Sequence, residues 1–72
     1  MAEFKYADAC DIGITAGEIW GYLNTNGASS LNRITTNLKV SRELALQAIG
    51  WLAREDKLVF EQASRGRTIR LK

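Results

Sequence analysis

The spacing of the apolar residues changes once along the chain, close to residue 57. Between residues 16 and 55 apolar side chains recur at every third or fourth position, which is the period of an amphipathic helix. Beyond residue 57 β-forming residues dominate, and residues 68–72 alternate between polar and apolar. A chain of 72 residues holds one small domain. The sequence therefore predicts a mainly helical α+β domain that ends in two strands.

The first helix is predicted over residues 16–25. Thr15 and Glu18 have the spacing of a capping box, in which the threonine accepts from first-turn amides and the glutamate reaches back. Asn26 and Gly27 end the helix, because glycine adopts the left-handed C-cap conformation at little cost. The residues before this helix, 1–11, are predicted to be a leader or arm, and residues 12–72 to be the folded domain.

Two further helices follow, of which the first is shorter. A second helix is capped by Ser29 or Ser30 and stops near residue 37, where helix-forming propensity is poor. Residues 38–40 form a short connection, and Ser41 is a good N-cap for a third helix that runs to about residue 55.

The two strands are predicted over residues 57–62 and 67–71. Residues 63–66 join them as a hairpin loop in which Gly66 supplies a positive φ. A lone hairpin is barely stable in water, so it is expected to pack on the helices and complete one core. Trp51 lies at the margin of the core stripe of the third helix, where it serves either as core or as a surface anchor. The predicted core includes Ile19, Trp20, Leu23, Leu31, Ile34, Leu44, Leu52, Leu58, Phe60, Ile69 and Leu71.

Three glycines in the first part of the chain, Gly13, Gly17 and Gly21, are spaced by four residues. Glycines at this spacing share a helix face and allow another backbone to approach closely. We expect a second helix to pack against them.

The net charge of +2 is unevenly distributed. Residues 57–72 carry five basic side chains against one acidic side chain, whereas residues 1–26 carry four acidic against one basic. A basic C-terminal end is typical of a surface that faces phosphates. It is equally typical of an exposed edge strand, where lysine and arginine discourage pairing with other chains.

Several classes of protein are disfavoured by the residues that are missing. The chain has no histidine and one cysteine, Cys10, which leaves no metal-site or nucleophile–base pattern. There is no glycine-rich phosphate loop and no apolar run approaching the ~20 residues of a membrane span. The N-terminus lacks the features of a signal peptide. We therefore predict a cytoplasmic, non-enzymatic protein without catalytic, metal or cofactor sites and without a small-molecule ligand or a membrane partner.

Residues 31–60, which read LNRITTNLKVSRELALQAIGWLAREDKLVF, carry a short helix, a Val-Ser turn, a helix with Ala-Ile-x-x-Leu, and a polar turn into a Leu-Val strand. This order resembles the winged helix-turn-helix superfamily. The segment AIGWLAREDKL, residues 48–58, is similar to a group of short bacterial winged-helix domains. The resemblance covers about residues 15–71 and implies three helices followed by a two-stranded β-hairpin wing.

The resemblance implies DNA binding, with the third helix in the major groove and the wing on the phosphate backbone. Such modules act in transcription regulation and read longer sites as homodimers. Arginine suits guanine, glutamine suits adenine, and basic wing residues release counterions. The base-reading candidates are Ser41, Arg42, Glu43, Gln47 and Arg54. The backbone candidates are Arg65, Arg67, Arg70 and Lys72.

An alternative function keeps the fold but binds protein, either a second copy or another partner. Leu46 is predicted to face outward without a core role, and the neighbouring Gly50 suits the approach of another backbone. With Trp51 they form a candidate interface patch, to which Phe4 and Tyr6 of the leader are added. The sequence leaves DNA binding and protein binding both open, because a fold does not by itself define a function.

Overall fold

A computed structural model of the chain describes residues 9–64 and 66–72, with the backbone alone at residues 9, 10 and 63. Phe4, Tyr6 and Arg65, together with the rest of residues 1–8, lie outside the described residues. The elements follow the predicted order of three helices and a hairpin, which confirms the winged-helix architecture. They are α1 (Ala9–Asn26), α2 (Leu31–Leu38), α3 (Arg42–Arg54), β1 (Leu58–Ala63) and β2 (Gly66–Leu71).

The start of α1 differs from the prediction. The helix begins at Ala9 rather than near residue 16, so residues 9–11 of the predicted leader belong to it. Thr15 lies within the helix and is 4% exposed, and it is not an N-cap. The capping-box interpretation was wrong because a Thr-x-x-Glu spacing also fits the interior of a helix. Asp11 is the acidic residue of the first turn of α1, and its negative charge interacts favourably with the positive N-terminal end of the helix dipole.

The helix-turn-helix unit is fixed by local capping. Ser30 is the N-cap of α2, and its Oγ accepts a hydrogen bond from the backbone N–H of Arg33 at 3.2 Å. Ser41 is the N-cap of α3 as predicted, and its Oγ accepts from the N–H of Leu44 at 3.1 Å. Between the helices, Lys39 adopts the left-handed conformation with φ 56° and turns the chain.

The core lies where the three helices and the hairpin meet. Its largest fully buried side chains are Ile19 of α1 and Ile34 of α2. The buried apolar residues among those described are Ala16, Ile19, Leu23, Ile34, Ala45, Ala48, Ile49, Leu52, Leu58 and Ile69. Leu31, Leu38, Val40 and Leu71 are partly buried against them.

Two aromatic side chains that the sequence assigned to the core, Trp20 and Phe60, are instead exposed, and so is Trp51, for which core and surface were both left open. Trp20 is 41% exposed, Trp51 is 42% exposed and Phe60 is 53% exposed. Trp20 follows Ile19 directly, and successive helical residues point about 100° apart, so the two cannot both face the core centre. β1 packs on the helices chiefly through its first residue, Leu58, which leaves Phe60 beyond the covered part of the sheet.

The hairpin is antiparallel and tightly closed. Ala63 pairs with Gly66, so the strands are separated by two chain positions, and Gly66 has the expected positive φ, 131°. Ser29 forms an isolated antiparallel β-bridge with Ile69 of β2, which the sequence did not predict. Its N–H donates to the carbonyl of Ile69 at 2.9 Å, and the N–H of Ile69 donates back at 2.8 Å. These two bonds join β2 to the segment between α1 and α2.

Replacing Ile19 by alanine should destabilise the fold by about 2–5 kcal/mol, because it leaves a cavity in a fully buried site. Ile14, in the same helix, is 58% exposed, so Ile14→Ala is the matched control and should change stability by less than about 0.5 kcal/mol. Urea unfolding followed by circular dichroism measures both. Equal losses from the two variants would contradict the core described above.

Replacing Lys39 by glycine should raise the free energy of unfolding by up to about 1 kcal/mol, since only glycine adopts a left-handed φ without steric cost. Lys39→Ala is the control, because alanine removes the charge but keeps the steric cost. If the alanine variant were stabilised equally, the effect would come from charge and not from the backbone.

Candidate nucleic-acid interface

The outward face of α3 is defined by residues spaced four, three and four positions apart: Glu43, Gln47, Gly50 and Arg54. All four are exposed. This face carries one positive and one negative charge, which neither attracts nor repels phosphate strongly. Gln47 occupies its middle and presents an amide that can donate and accept at once.

Ser41 and Arg42 lie at the N-terminal end of α3, at the edge of this face. The Ser41 hydroxyl accepts the capping bond from the N–H of Leu44, which leaves its O–H and one oxygen lone pair for an outward contact. Arg42 is exposed and has no ion-pair partner among the described residues. The first turn therefore presents one unpaired guanidinium, the group best suited to a guanine edge or a phosphate.

The basic residues of the wing are divided between its two faces. The pairing of Phe60 with Ile69 and of Gln62 with Arg67 places Arg67 on the face that carries buried Leu58 and Ile69. Arg67 is thus on the helix side of the wing. It is exposed and unpaired among residues 9–64 and 66–72.

Arg70 and Lys72 are each held in an ion pair. Arg70 Nε lies 3.0 Å from Glu61 Oε2 on the outer face of the wing. Lys72 Nζ lies 2.6 Å from Asp56 Oδ2. Each pair is largely neutral, so Arg70 and Lys72 offer less to a phosphate than the charge count of the sequence implied.

The Glu61–Arg70 pair depends on strand register. Glu61 is opposite Thr68, so Arg70 is its diagonal neighbour two residues along the partner strand. The four-residue loop predicted over residues 63–66 gives the same register, because it also pairs Gln62 with Arg67. The structure adds the Ala63–Gly66 pair, and the Glu61–Arg70 contact could have been found from the predicted strands.

The structure separates the residues proposed as one protein-binding patch. Leu46 is exposed as predicted, at 48%. Trp51 is five positions later, about 140° around an ideal helix, and it lines a groove between α1 and α3. Leu46 and Gly50 therefore remain on the outward side of α3, while Trp51 belongs to a different surface.

Other kinds of site find little support in the described part of the chain. No group of three or more His, Cys, Asp or Glu residues there is arranged to hold a metal ion. None of the helices described there combines the length and apolar character needed to cross a membrane.

A family model described as a winged helix-turn-helix domain (DUF2582) matches residues 5–71. The chain belongs to this family. Within the family fold, α2, the turn at Lys39 and α3 form the helix-turn-helix unit, and β1 and β2 form the wing. The resemblance noted in the sequence is thereby confirmed.

A solved structure supports the same assignment. The solution NMR structure of protein BT2368 from Bacteroides thetaiotaomicron is 32% identical to this chain and superimposes with a TM-score of 0.78. The match covers 86% of this chain and 76% of that one. No curated protein matches the chain. The comparisons thus establish the winged-helix domain and leave its ligand to be argued from the residues.

Proposed function

We propose that this winged-helix domain binds duplex DNA, with the outward face of α3 in the major groove and the helix side of the wing against the phosphate backbone. The observation that carries the proposal is Arg67, an exposed guanidinium on the helix side of the wing with no ion-pair partner among the described residues. The carboxylates that pair with Arg70 and Lys72 offset part of the attraction of those two side chains for phosphate.

The proposed roles follow from the chemistry of each side chain. Arg42 and Gln47 are the base-reading residues, because their donors and acceptors match guanine and adenine edges. Arg67 contacts phosphate, and Arg65, outside the described residues, is assigned the same role from its place in the loop. Ser41, Glu43 and Arg54 flank the reading residues, and Arg70 and Lys72 play a secondary part.

Within this proposal the domain is a non-enzymatic module of transcription regulation that acts in the cytoplasm. A single copy presents one short helix to the groove, which limits the number of bases it reads. Useful specificity therefore calls for two copies on one site, so a homodimer is part of the proposal.

Fluorescence anisotropy with a labelled mixed-sequence duplex tests the role of Arg67. The logarithm of the binding constant should fall linearly with the logarithm of salt concentration, and Arg67→Ala should reduce that slope by about 1 because one phosphate contact is lost. Arg67→Lys should keep the slope, since a phosphate contact needs only the charge.

A charge-neutral control tests the rest of the wing. Replacing Glu61 and Arg70 together by alanine removes the ion pair of the outer face and leaves the net charge unchanged. The salt slope should then change by less than it does in Arg67→Ala, because Arg70 plays only a secondary part. An undetectable affinity at low salt, or an unchanged slope in Arg67→Ala, would contradict the proposal.

The alternative function, protein binding through the outward face of α3, is favoured by one observation. Leu46 is a large apolar side chain, half exposed, beside a helical Gly50 that has nothing within 4 Å of the position of its missing Cβ. An open backbone next to an apolar side chain suits a protein partner better than a base edge.

An NMR titration with mixed-sequence duplex at low salt separates the two functions. DNA binding predicts chemical-shift changes at Arg42, Gln47 and Arg67 that disappear when salt is raised. An unperturbed α3 would count against DNA binding and leave Leu46 and Gly50 as the core of a protein interface.

A further inference from the structure

A groove of about 260 Å³ runs between α1 and α3 on a side of the molecule that the proposed DNA interface does not use. The α1 side of the groove is formed by small residues and Trp20, and the α3 side includes Trp51. The lining residues are Gly13, Ala16, Gly17, Trp20, Trp51, Leu52, Glu55 and Lys57.

Both tryptophans of the chain line this groove, and each leaves about two fifths of its surface in water. Tryptophan is the residue type most enriched at the energetic centres of protein interfaces. Ile14, on the same helix as Trp20, is more than half exposed and continues the apolar surface past the groove.

Gly17 lies at the centre of this surface. On a helix the neighbours of a residue are three and four positions away, which for Gly17 are Gly13, Ile14, Trp20 and Gly21. None of these neighbours is charged. The α1 surface around Gly17 is therefore uncharged and has its backbone uncovered.

The three glycines have no packing role among the described residues. Nothing lies within 4 Å of the position that a Cβ would take at Gly13, Gly17 or Gly21. The expectation that a helix of this chain approaches them closely was therefore wrong. A glycine within a helix costs about 0.5–1 kcal/mol relative to alanine, and here no contact within the described chain offsets that cost.

The shape and charge of this surface favour a second copy of the chain as its occupant. It contains projecting side chains, Ile14 and Trp20, beside a recess at Gly13 and Gly17, so two copies related by a two-fold axis can place the projection of each in the recess of the other. The charged residues at the rim of the groove, Glu55 and Lys57, have opposite signs, and Lys57 Nζ lies 3.5 Å from Glu55 Oε1. A second copy therefore meets no excess of either sign.

The apolar area suits a two-copy interface of modest strength. Two tryptophans at about 40% exposure and one isoleucine at about 60% offer roughly 300 Å² of apolar surface per copy. A standard interface buries about 800 Å² per partner, of which the centre is apolar and the rim is polar. The surface around Gly17 thus has the size of such a centre.

We propose that the domain forms a symmetric homodimer in which α1 of one copy packs on α1 of the other at Gly17, with Trp20 and Trp51 buried at the edges of the contact. This interface differs from the outward face of α3 and leaves Arg42 and Gln47 exposed.

Sedimentation velocity and tryptophan fluorescence over a range of protein concentrations test the proposal together. The dimer fraction should rise with concentration, and the emission should shift to shorter wavelength along the same curve, because both tryptophans report on the groove. A monomer at every concentration would overturn the proposal. So would a dimer whose emission stays constant, since it would use another face.

A glycine variant localises the contact without endangering the fold. Gly17→Gln adds an uncharged side chain where the monomer has open space, so its melting temperature should not fall, while the dimer dissociation constant should rise at least about tenfold. Gly50→Gln makes the same change at an open glycine of α3 and should leave the dimer intact. Equal dimerisation of wild type and Gly17→Gln would refute the α1 contact.

Discussion

The pair of backbone hydrogen bonds between Ser29 and Ile69 is the constraint on which the arrangement of this domain depends. An isolated two-stranded hairpin is marginal in water. Here the hairpin is held at Ile69 by both its backbone, bonded to Ser29, and its side chain, buried in the core. Because residues alternate across a strand, fixing Ile69 also fixes the face on which Arg67 lies and the opposite face on which Arg70 lies.

That alternation divides the positive charge of the C-terminal segment. Arg70 and Lys72 meet carboxylates, whereas Arg67 does not meet one among the described residues. A formal charge count treats these side chains alike, but the carboxylate of an ion pair offsets part of the attraction between its basic partner and a phosphate. The positive charge without a paired carboxylate among the described residues of the wing therefore lies on its helix side, at Arg67. The proposed DNA interface thus involves fewer basic residues, on one face, than the charge of the sequence implies.

The exposure of the two tryptophans is also a consequence of how the helices pack. The core is closed by small and aliphatic side chains, with Ala45 and Ala48 of α3 fully buried. This close packing leaves no room for Trp20 or Trp51, which border the groove instead. If two copies associate there, the outward faces of both α3 helices stay free, so the proposed dimer and the proposed DNA contact are compatible in one assembly.

The sequence by itself determined what depends on neighbouring residues. Hydrophobic period, the N-cap at Ser41 and the positive φ of Gly66 are local, and they predicted the element order and the turn. The family was predicted from the resemblance of residues 31–60 to known winged-helix sequences. Local patterns also misled where two structures share one pattern, as with Thr15, which fits both a cap and a helix interior. Only the tertiary structure decided which apolar residues are buried, since the packing of α1 against α3 leaves Trp20 and Trp51 at the border of the groove between them. Strand register likewise decided which basic residues are paired, because the partners of Arg70 and Lys72 are brought near by folding rather than by sequence.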